Sequence, residues 1–532
     1  MGLFILLLVA GAQHLWAQQK PSLAFTDVTY YKIDLELDTL HGNASGTVTI
    51  RLNLQSHQSP WIRLDLTDSA TVSAISVNGR AVTYRHQNGK LDIPLDAQSQ
   101  RLRVLSIVCR YSVPFLENGL HLVKWENKAT ICTYGIPYSA KEWWPCKDLP
   151  SDKADSADII IRSPRPLIVA SNGRLVDVTP VPSEGGNSTE DQFHWKVTHP
   201  IYPDVISLAV ADYSQFNIRG EGVTFNFYVF PQDLENAKTD FPVLTEMLRS
   251  HEHYFGVYPF INEKYGVAEF TLKSYREHQT IPSLGFNYIT GHHSADRVLA
   301  HELAHQWFGN SLTVKNWKQI WLNESFCNYA YALWMEYKAG KQAYQDVLTK
   351  YDRTDFGGPI SLPDSTNVDT MFTATTFCKG AWFLHMLRNV MGDDGFFKAL
   401  AEYTSIYRYK NVETANFQAV CERCYKKSLK WFFDEWLFGV GRPVYACKYN
   451  TALRQSKWYV TLTLEQLQTD DPVYKMPVEL EFRQKNGETE TRTVWNDQRR
   501  QTYSFALTNP CDSVRIDPGS KILKKIEPVS GN

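Results

Sequence analysis

Alternation of apolar and polar residues sets the pattern of the first part of the chain. The segment 31–38 (YKIDLELD) alternates apolar and charged residues, and the segment 47–54 (TVTIRLNL) continues with the same period. A period of two is typical of strands that bury one face. Asn78-Gly79 and Asn88-Gly89 favour the tight turns of β-hairpins. The pattern predicts one large β domain over residues 18–211.

The period of the pattern changes in the middle of the chain. Apolar residues recur at helical spacing over residues 233–255, and a mostly helical pattern continues from Ala295. Gly309 and Gly392 follow such stretches, so we expect helices to end there. This part of the sequence predicts a mostly helical domain with some strands over residues 212–441.

Alternation returns near the C-terminal end, in the segments 458–464 (WYVTLTL) and 478–482 (VELEF). The tripeptide Gly441-Arg442-Pro443 marks the preceding boundary. Short strands over residues 442–532 predict a small β-sandwich. The whole pattern therefore predicts a multidomain α+β protein with an N-terminal all-β domain, a mostly helical domain and a C-terminal β-sandwich domain.

The N-terminal end carries a short apolar run, Leu3–Ala12. Its length suits the core of a signal peptide rather than a membrane span, so we predict a signal peptide over residues 1–17 and export to the periplasm or the extracellular space. Two features argue for an ordinary buried segment instead. No Lys or Arg precedes the run, and Leu15 stands where a small residue is usual. No other segment is long and apolar enough to span a membrane.

Charge and cysteine content exclude some classes of protein. The chain has 55 Lys and Arg against 57 Asp and Glu, a net charge of −2, and no basic run, so nothing favours a nucleic-acid partner. The nine cysteines are scattered and odd in number, so the sequence does not predict a disulfide framework.

The strongest chemical signal lies in the helical part, where His301 and His305 stand four residues apart. Residues at this spacing share one face of a helix, so both imidazoles can bind one metal ion. Glu302 lies between them, which completes an HExxH arrangement of two zinc ligands and a general base. The neighbouring pair His292-His293 is less suitable, because adjacent side chains in a turn point apart.

A third protein ligand is needed, and Glu324 is the candidate. It lies in the segment 321–326 (WLNESF), and 18 residues separate it from His305. That length is enough for a loop and the start of a second helix. A chance HExxH match would lack both this glutamate and an apolar helical frame, which here consists of Val298, Leu299, Leu303 and Trp307.

The segments 301–310 (HELAHQWFGN) and 321–326 together resemble the gluzincin zinc aminopeptidases, the family that includes aminopeptidase N. Further motifs extend the resemblance over nearly the whole chain, namely 143–148 (WWPCKD), 379–381 (KGA) and 432–437 (FFDEWL). The resemblance implies a thermolysin-like catalytic domain and the three-domain form without a helical C-terminal domain. It also implies one Zn²⁺ per chain and peptides with a free N-terminus as substrates.

The resemblance also assigns the residue that recognises the substrate's α-amine. The family uses the glutamate of a Gly-x-Met-Glu-Asn strand, which corresponds to Glu277 in the segment 274–278 (SYREH). Arg276 places a cation beside this anchor, although alternation should turn it to the other face of the strand. A second amine contact in the family would fall at Tyr134 or Ile136, so that contact is predicted to be lost.

Phe377 is the most consequential departure. The family has a tyrosine in this Tyr-x-Lys-Gly-Ala motif, and its hydroxyl donates to the oxyanion of the tetrahedral intermediate. This chain has FCKGA at 377–381 and lacks that donor. Loss of one oxyanion donor typically slows turnover by about 10²–10³. A nearby tyrosine or His278 is the alternative source of the proton.

These residues support three hypotheses. The first is a zinc metallopeptidase that removes N-terminal residues from peptides, with Glu302 as general base, Glu277 as amine anchor and reduced activity because of Phe377. The second is a catalytically silent, zinc-containing homologue that binds peptides or a protein partner. The third is an endopeptidase that no longer recognises the amine.

Overall fold

The computed structural model describes residues 26–55, 60–126, 128–135, 137–182, 189–363, 367, 370–469 and 472–528, and the backbone of 530–531. The predicted signal peptide, 1–17, and Ile136 lie outside the described residues. The chain forms two compact units. The first comprises the residues up to Thr245 together with Tyr258–Gln306, and the second comprises Glu246–Val257 and the chain from Trp307 onward.

The N-terminal part of the first unit is all-β. Its short 3₁₀ turns span Ser99–Arg101, Ala140–Glu142 and Pro203–Val205. In chain order its strands are β1 (Thr26–Asp38), β2 (Asn43–Leu54), β3 (Trp61–Asp65), β4 (Thr71–Val77), β5 (Arg80–Ala81), β6 (Arg85–Gln87), β7 (Lys90–Pro94), β8 (Val104–Pro114), β9 (Gly119–Trp125), β10 (Lys128–Tyr134), β11 (Ser156–Pro164), β12 (Ile168–Ser171), β13 (Arg174–Pro180), β14 (Glu190–Val197) and β15 (Leu208–Ala211).

Three sheets organise these strands. An eight-stranded sheet has the order β13-β14-β11-β1-β2-β8-β4-β5, and a four-stranded sheet has the order β12-β15-β10-β9. A three-stranded sheet has the order β3-β7-β6. Neighbours pair antiparallel except β1 and β11, which run parallel with Tyr30 opposite Ser156. Strand β1 buries Tyr31, Ile33 and Leu35 in the core, as its alternating sequence predicts.

Both predicted hairpin turns are confirmed. Asn78 and Gly79 join β4 to β5 with φ angles of 50° and 77°, and Asn88 and Gly89 join β6 to β7 with φ angles of 54° and 66°. Positive φ at both central positions is the geometry for which Asn-Gly is preferred in two-residue hairpins.

A mixed five-stranded sheet follows within the first unit, in the order β16-β17-β18-β20-β19. The short edge strand β19 pairs antiparallel with β20. The stretch 233–255 forms two helices rather than one, because Pro242 lacks an N–H and interrupts the hydrogen-bond ladder. The elements are β16 (Ser214–Arg219), β17 (Thr224–Val229), α1 (Leu234–Asp240), α2 (Val243–Phe255), β18 (Tyr265–Phe270), β19 (Tyr275–Arg276), β20 (Ser283–Gly285) and α3 (Asp296–Ala304), with 3₁₀ turns at Pro231–Asp233 and Phe286–Tyr288.

The second unit is mostly helical up to residue 436. Gly392 ends a helix with a φ of 77°, as predicted, whereas Gly309 does not end α3, which already closes at Ala304. A π-helical turn, Thr375–Lys379, leads into α6. The elements are β21 (Thr313–Val314), α4 (Trp321–Ala339), α5 (Lys341–Tyr351), α6 (Gly380–Met391), α7 (Asp393–Ile406), β22 (Asn411–Val412), α8 (Thr414–Tyr425) and α9 (Lys430–Trp436), with a 3₁₀ turn at Trp317–Gln319.

The C-terminal part of the second unit is β-rich. One sheet has the order β27-β24-β23-β29, with β30 also on β23, and the other has the order β26-β25-β28. The rings of Phe482 and Phe505 join the two sheets at 5.3 Å. The strands are β23 (Val444–Arg454), β24 (Lys457–Gln466), β25 (Met476–Gln484), β26 (Thr489–Asn496), β27 (Arg500–Leu507), β28 (Cys511–Ile516), β29 (Lys525–Ile526) and β30 (Ser530–Gly531).

The predicted fold class is thus confirmed, with an all-β N-terminal part, a helical middle part and a β-rich C-terminal part. In the described part of the chain, no helix has the length and apolarity needed to cross a membrane.

Close packing of α6 against α4 at Gly380 generates a prediction about stability. An added Cβ at Gly380 would lie 1.8 Å from Ser325 Oγ and 2.5 Å from Ser325 Cβ. We therefore expect Gly380→Ala to lower the free energy of unfolding by about 1–3 kcal/mol, measured by thermal denaturation. The matched control is Gly395→Ala within α7, where the nearest atom would be 3.7 Å away. Equal melting temperatures for the two variants would contradict the prediction.

Candidate metal centre

The helix α3 brings the predicted metal ligands together. His301 and Glu302 lie in its last turns, and His305 follows with helical φ and ψ angles of −57° and −22°. The Nε2 atoms of the two histidines are 3.0 Å apart. Ligand atoms of His301, Glu302 and His305 all lie within 4.8 Å of one another, and all three side chains are buried.

These donors suit a metal ion. Two nitrogens bound at about 2.0–2.1 Å to a tetrahedral zinc ion lie roughly 3.3 Å apart, close to the observed spacing. Imidazole nitrogens are also a donor type that zinc accepts. The helix is held in place by Val298, Leu299 and Leu303, which are buried on its apolar face. The sequence prediction that these histidines share one helical face therefore agrees with the structure.

Gln306, the residue after His305, links the end of α3 to the loop that follows Glu277. The Gln306 side chain accepts a hydrogen bond from the Thr280 N–H at 2.8 Å. Its Nε2 donates to the His278 carbonyl at 3.4 Å. Gln306 is completely buried. These two contacts fix the loop 278–280 beside the end of α3.

Glu277 directly follows the edge strand β19, and this strand lies beside α3. The Tyr275 ring stands edge-on to the His301 ring at 6.3 Å and to the Tyr288 ring at 5.8 Å. Glu277 is half-buried. The structure thus brings the segment of the predicted amine anchor next to His301, a predicted metal ligand.

Arg276 turns toward the end of β10. Its Nε donates to the Gly135 carbonyl at 2.9 Å, and its guanidinium carbon lies 4.4 Å from the centre of the Tyr134 ring. Its Nη1 donates to the Tyr275 carbonyl at 2.8 Å and to Ser274 Oγ at 3.3 Å. Among the described residues, Glu277 is not a partner of this guanidinium, so neutralisation of the anchor by Arg276 is not what the structure shows.

His278, the alternative donor, is buried. Its Nδ1 lies 3.1 Å from Ser283 Oγ. Burial lowers the pKa of His278 to about 3, and the positive charge of Arg276 acts in the same direction. The imidazole is therefore neutral at physiological pH. A neutral imidazole keeps one N–H donor, so His278 as the substitute for the missing tyrosine hydroxyl stays a prediction.

Two family models match this chain. The "Peptidase family M1 domain" matches residues 270–436, and the "Peptidase M1 N-terminal domain" matches residues 28–202. The chain belongs to the peptidase M1 family. The M1 domain match includes α3, Glu277, Glu324 and Phe377, so every predicted site residue lies within it.

Curated relatives of this M1 chain are aminopeptidases. Endoplasmic reticulum aminopeptidase 2 of Homo sapiens is 28% identical over 313 residues, which cover 54% of this chain and 32% of the relative. Aminopeptidase N of Mus musculus is 25% identical over 358 residues, 60% of this chain and 36% of the relative. Leucyl aminopeptidase of Saccharolobus solfataricus is 22% identical over 510 residues, 90% of this chain and 61% of the relative. The matches thus span 32% to 61% of the relatives' lengths.

Glu324 and Phe377 of the M1 domain belong to the second unit. Glu324 is buried in the first turn of α4. Phe377 lies in the π-helical turn before α6, with its ring 6.4 Å from the Phe372 ring. The role of Glu324 as the third metal ligand and the effect of Phe377 on oxyanion stabilisation stay predictions.

A lysine that the sequence did not indicate supports the loop after Glu277. Lys264 Nζ donates to the carbonyls of Ser171 and Gly173 at 2.8 and 2.7 Å, and lies 3.3 Å from Thr280 Oγ1. Asn172 Nδ2 donates to the neighbouring Gln279 carbonyl at 2.6 Å. The turn between β12 and β13 therefore holds this loop from the N-terminal part. No local pattern could reveal the contacts, because the partners are about a hundred residues apart in sequence.

Lys264 generates a prediction about pH. Burial lowers the pKa of Lys264 to about 7, against about 10.4 in an unfolded chain. Between these values the unfolded state binds more protons, so this residue makes stability rise with pH, by at most about 1.4 kcal/mol per pH unit. We expect the melting temperature of the native protein to rise relative to that of Lys264→Met as the pH increases from 7 to 10.

Thermal denaturation across this pH range measures the effect. The control is Lys273→Met, since Lys273 is an exposed lysine of the same unit. A difference between native protein and Lys264→Met that stays constant with pH would show that Lys264 does not change its proton binding on folding.

Proposed function

We propose that this M1 chain is a zinc-dependent metallopeptidase that removes N-terminal residues from peptides. The observation that carries this proposal is the convergence of His301, Glu302 and His305 at the end of α3, beside the segment of Glu277. The names of the aminopeptidase relatives support the same reaction class. We further propose export to the periplasm or extracellular space, from the apolar run ahead of residue 18.

The proposed residue roles follow from donor chemistry. His301, His305 and Glu324 would hold one zinc ion, which supplies polarisation of the scissile carbonyl and a lowered pKa for the attacking water. Glu302 accepts the proton of that water on its carboxylate and passes it to the leaving amine. Glu277 binds the α-ammonium group of the substrate, which limits cleavage to the first peptide bond.

Phe377 limits the proposed activity. A phenylalanine ring has no hydroxyl to donate to the oxyanion, and the loss of one such donor costs about 2.7–4 kcal/mol of transition-state stabilisation. A typical turnover of about 10 s⁻¹ would fall to roughly 0.01–0.1 s⁻¹. The same residue, with Ile136 at the second amine position, favours the alternative that the chain is a catalytically silent zinc protein that binds peptides or a partner.

Hydrolysis of aminoacyl and peptide substrates tests the proposal. We expect the zinc-loaded native protein to cleave slowly, with loss of cleavage on chelation or N-acetylation of the substrate. Glu302→Ala serves as the blank. We expect Phe377→Tyr to raise turnover by about 10²–10³ because it restores the donor.

The outcomes separate the two hypotheses. Cleavage by the native protein above the blank supports the peptidase. Cleavage by Phe377→Tyr alone supports the silent homologue. Cleavage that survives N-acetylation would instead indicate the endopeptidase hypothesis.

Metal content gives an independent prediction. We expect one zinc ion per chain by elemental analysis and its loss in His305→Ala, since a single imidazole forms a much weaker site. Glu324→Ala should weaken zinc binding in a competition titration with a chelator. The control is His292→Ala, which removes an exposed histidine of the neighbouring turn. Unchanged zinc affinity in Glu324→Ala would remove Glu324 from the ligand set.

A further inference from the structure

We propose that Thr280 is a positioning residue that holds the loop 278–280 against the end of α3 and thereby fixes the place of Glu277, which directly precedes the loop. The inference deepens the proposed function and rests on it for the role of Glu277 as amine anchor. Thr280 acts through the loop and not on the reacting atoms, so its effect appears in how tightly the amine is bound.

The backbone conformation of Thr280 is the first argument. Its φ angle is 63°, in the left-handed region, and the residue is completely buried. This region brings Cβ too close to a backbone carbonyl oxygen, and it is especially unfavourable for a β-branched residue. Such conformations persist only where the surrounding structure imposes them, and they cluster at functional sites. The conformation of Thr280 therefore has to be maintained by its contacts.

The contacts of Thr280 are the second argument, because they come from three separate parts of the chain. Its N–H donates to Gln306 Oε1 at 2.8 Å. Its Oγ1 accepts from the Gly173 N–H at 2.9 Å and lies 3.3 Å from Lys264 Nζ. The φ angle sets the direction of Cβ relative to the N–H of the same residue. Contacts at both the N–H and the side chain therefore hold φ at its unfavourable value.

The other two residues of the loop are bound in the same way. Gln306 Nε2 donates to the His278 carbonyl at 3.4 Å, and Asn172 Nδ2 donates to the Gln279 carbonyl at 2.6 Å. Asn172 is itself fixed, since its Oδ1 accepts from the Ser207 N–H at 2.7 Å. Each residue of the loop is thus held by a side chain from a distant part of the sequence.

The position of the loop limits the position of Glu277. Consecutive Cα atoms are 3.8 Å apart, so Glu277 cannot move far while His278 stays in place. A hydrogen bond between a carboxylate and an ammonium group depends strongly on distance and angle. A site of this kind works only if the supporting residues hold the binding group within a fraction of an ångström. Loosening the loop should therefore weaken recognition of the amine.

A role in packing alone is the competing explanation, and two substitutions separate the two roles. Thr280→Val keeps the size and the branched Cβ but removes both contacts of Oγ1. Thr280→Ser keeps the hydroxyl and removes the methyl group that disfavours the left-handed region. If Thr280 only fills space, valine should be tolerated and serine should loosen the structure. If Thr280 positions the loop, the order is reversed.

Hydrogen exchange of the fragment 277–283, measured by mass spectrometry, tests whether Thr280 holds the loop. We expect exchange in Thr280→Val to be about 10-fold faster or more, because the buried Gly173 N–H loses its acceptor and the strained backbone loses a contact. Thr280→Ser should exchange at the native rate. Melting temperatures verify that both variants fold. Native exchange in Thr280→Val, or faster exchange in Thr280→Ser than in Thr280→Val, overturns the proposal.

Calorimetric titration with Ala-Ala and N-acetyl-Ala-Ala tests the link to the amine. The parent for this titration is the zinc-loaded Glu302→Gln variant, so that no turnover occurs. We expect the parent to bind Ala-Ala about 10- to 100-fold more tightly than the acetylated peptide, as for one charged hydrogen bond. Adding Thr280→Val should lower this ratio by about 10-fold, and adding Thr280→Ser should leave it within about twofold.

Zinc affinity, from competition with a chelator, is the control for general loosening. It should be equal in the parent and both Thr280 variants, since the substitutions leave α3 intact. A ratio that is unchanged in Thr280→Val, or that falls together with zinc affinity, overturns the positioning role. Equal binding of the two dipeptides to the parent would contradict the role of Glu277 in the proposed function. Hydrogen exchange would in that case still decide whether Thr280 holds the loop.

Discussion

Gln306 joins the two segments on which the candidate site depends. Its backbone follows His305 directly, and its side chain binds the N–H of Thr280 and the carbonyl of His278. A buried amide that lost such partners would cost about 1–3 kcal/mol. Lys264 and Asn172 bind the same loop from the other side. Hydrogen bonds from Gln306, Asn172 and Lys264 thus hold the loop after Glu277, the predicted amine anchor, beside the predicted metal ligands.

Part of this arrangement could be predicted from the sequence because it depends on residues that are close together in the chain. The spacing of His301 and His305 determines their common face within a single helical turn, and the Asn-Gly dipeptides determine the hairpins within two residues. The break at Pro242 carried a signal too, because proline interrupts a helical ladder. The early end of α3 carried no such signal, and the contacts of Gln306 just beyond it reach a loop that lies more than 20 residues earlier.

The remaining contacts could not be predicted because they join residues that are far apart in the sequence. Lys264 meets Ser171 across 93 residues of sequence, and Arg276 meets Gly135 across 141. No periodicity links such positions. The sequence showed that a cation stands next to Glu277, but only the structure shows that the cation is bound to another strand. The resemblance to M1 peptidases located the site, whereas the contacts of its altered residues had to be observed.

The backbone anchoring of the loop has a consequence for how this site can change. Ser274, Tyr275 and Arg276 lie on a two-residue edge strand and the residue before it, while the bonds that hold the following loop come from Gln306 and Lys264. Side chains on the strand can therefore be exchanged while the loop keeps these bonds. A protein engineer could vary the candidate site there by substitution.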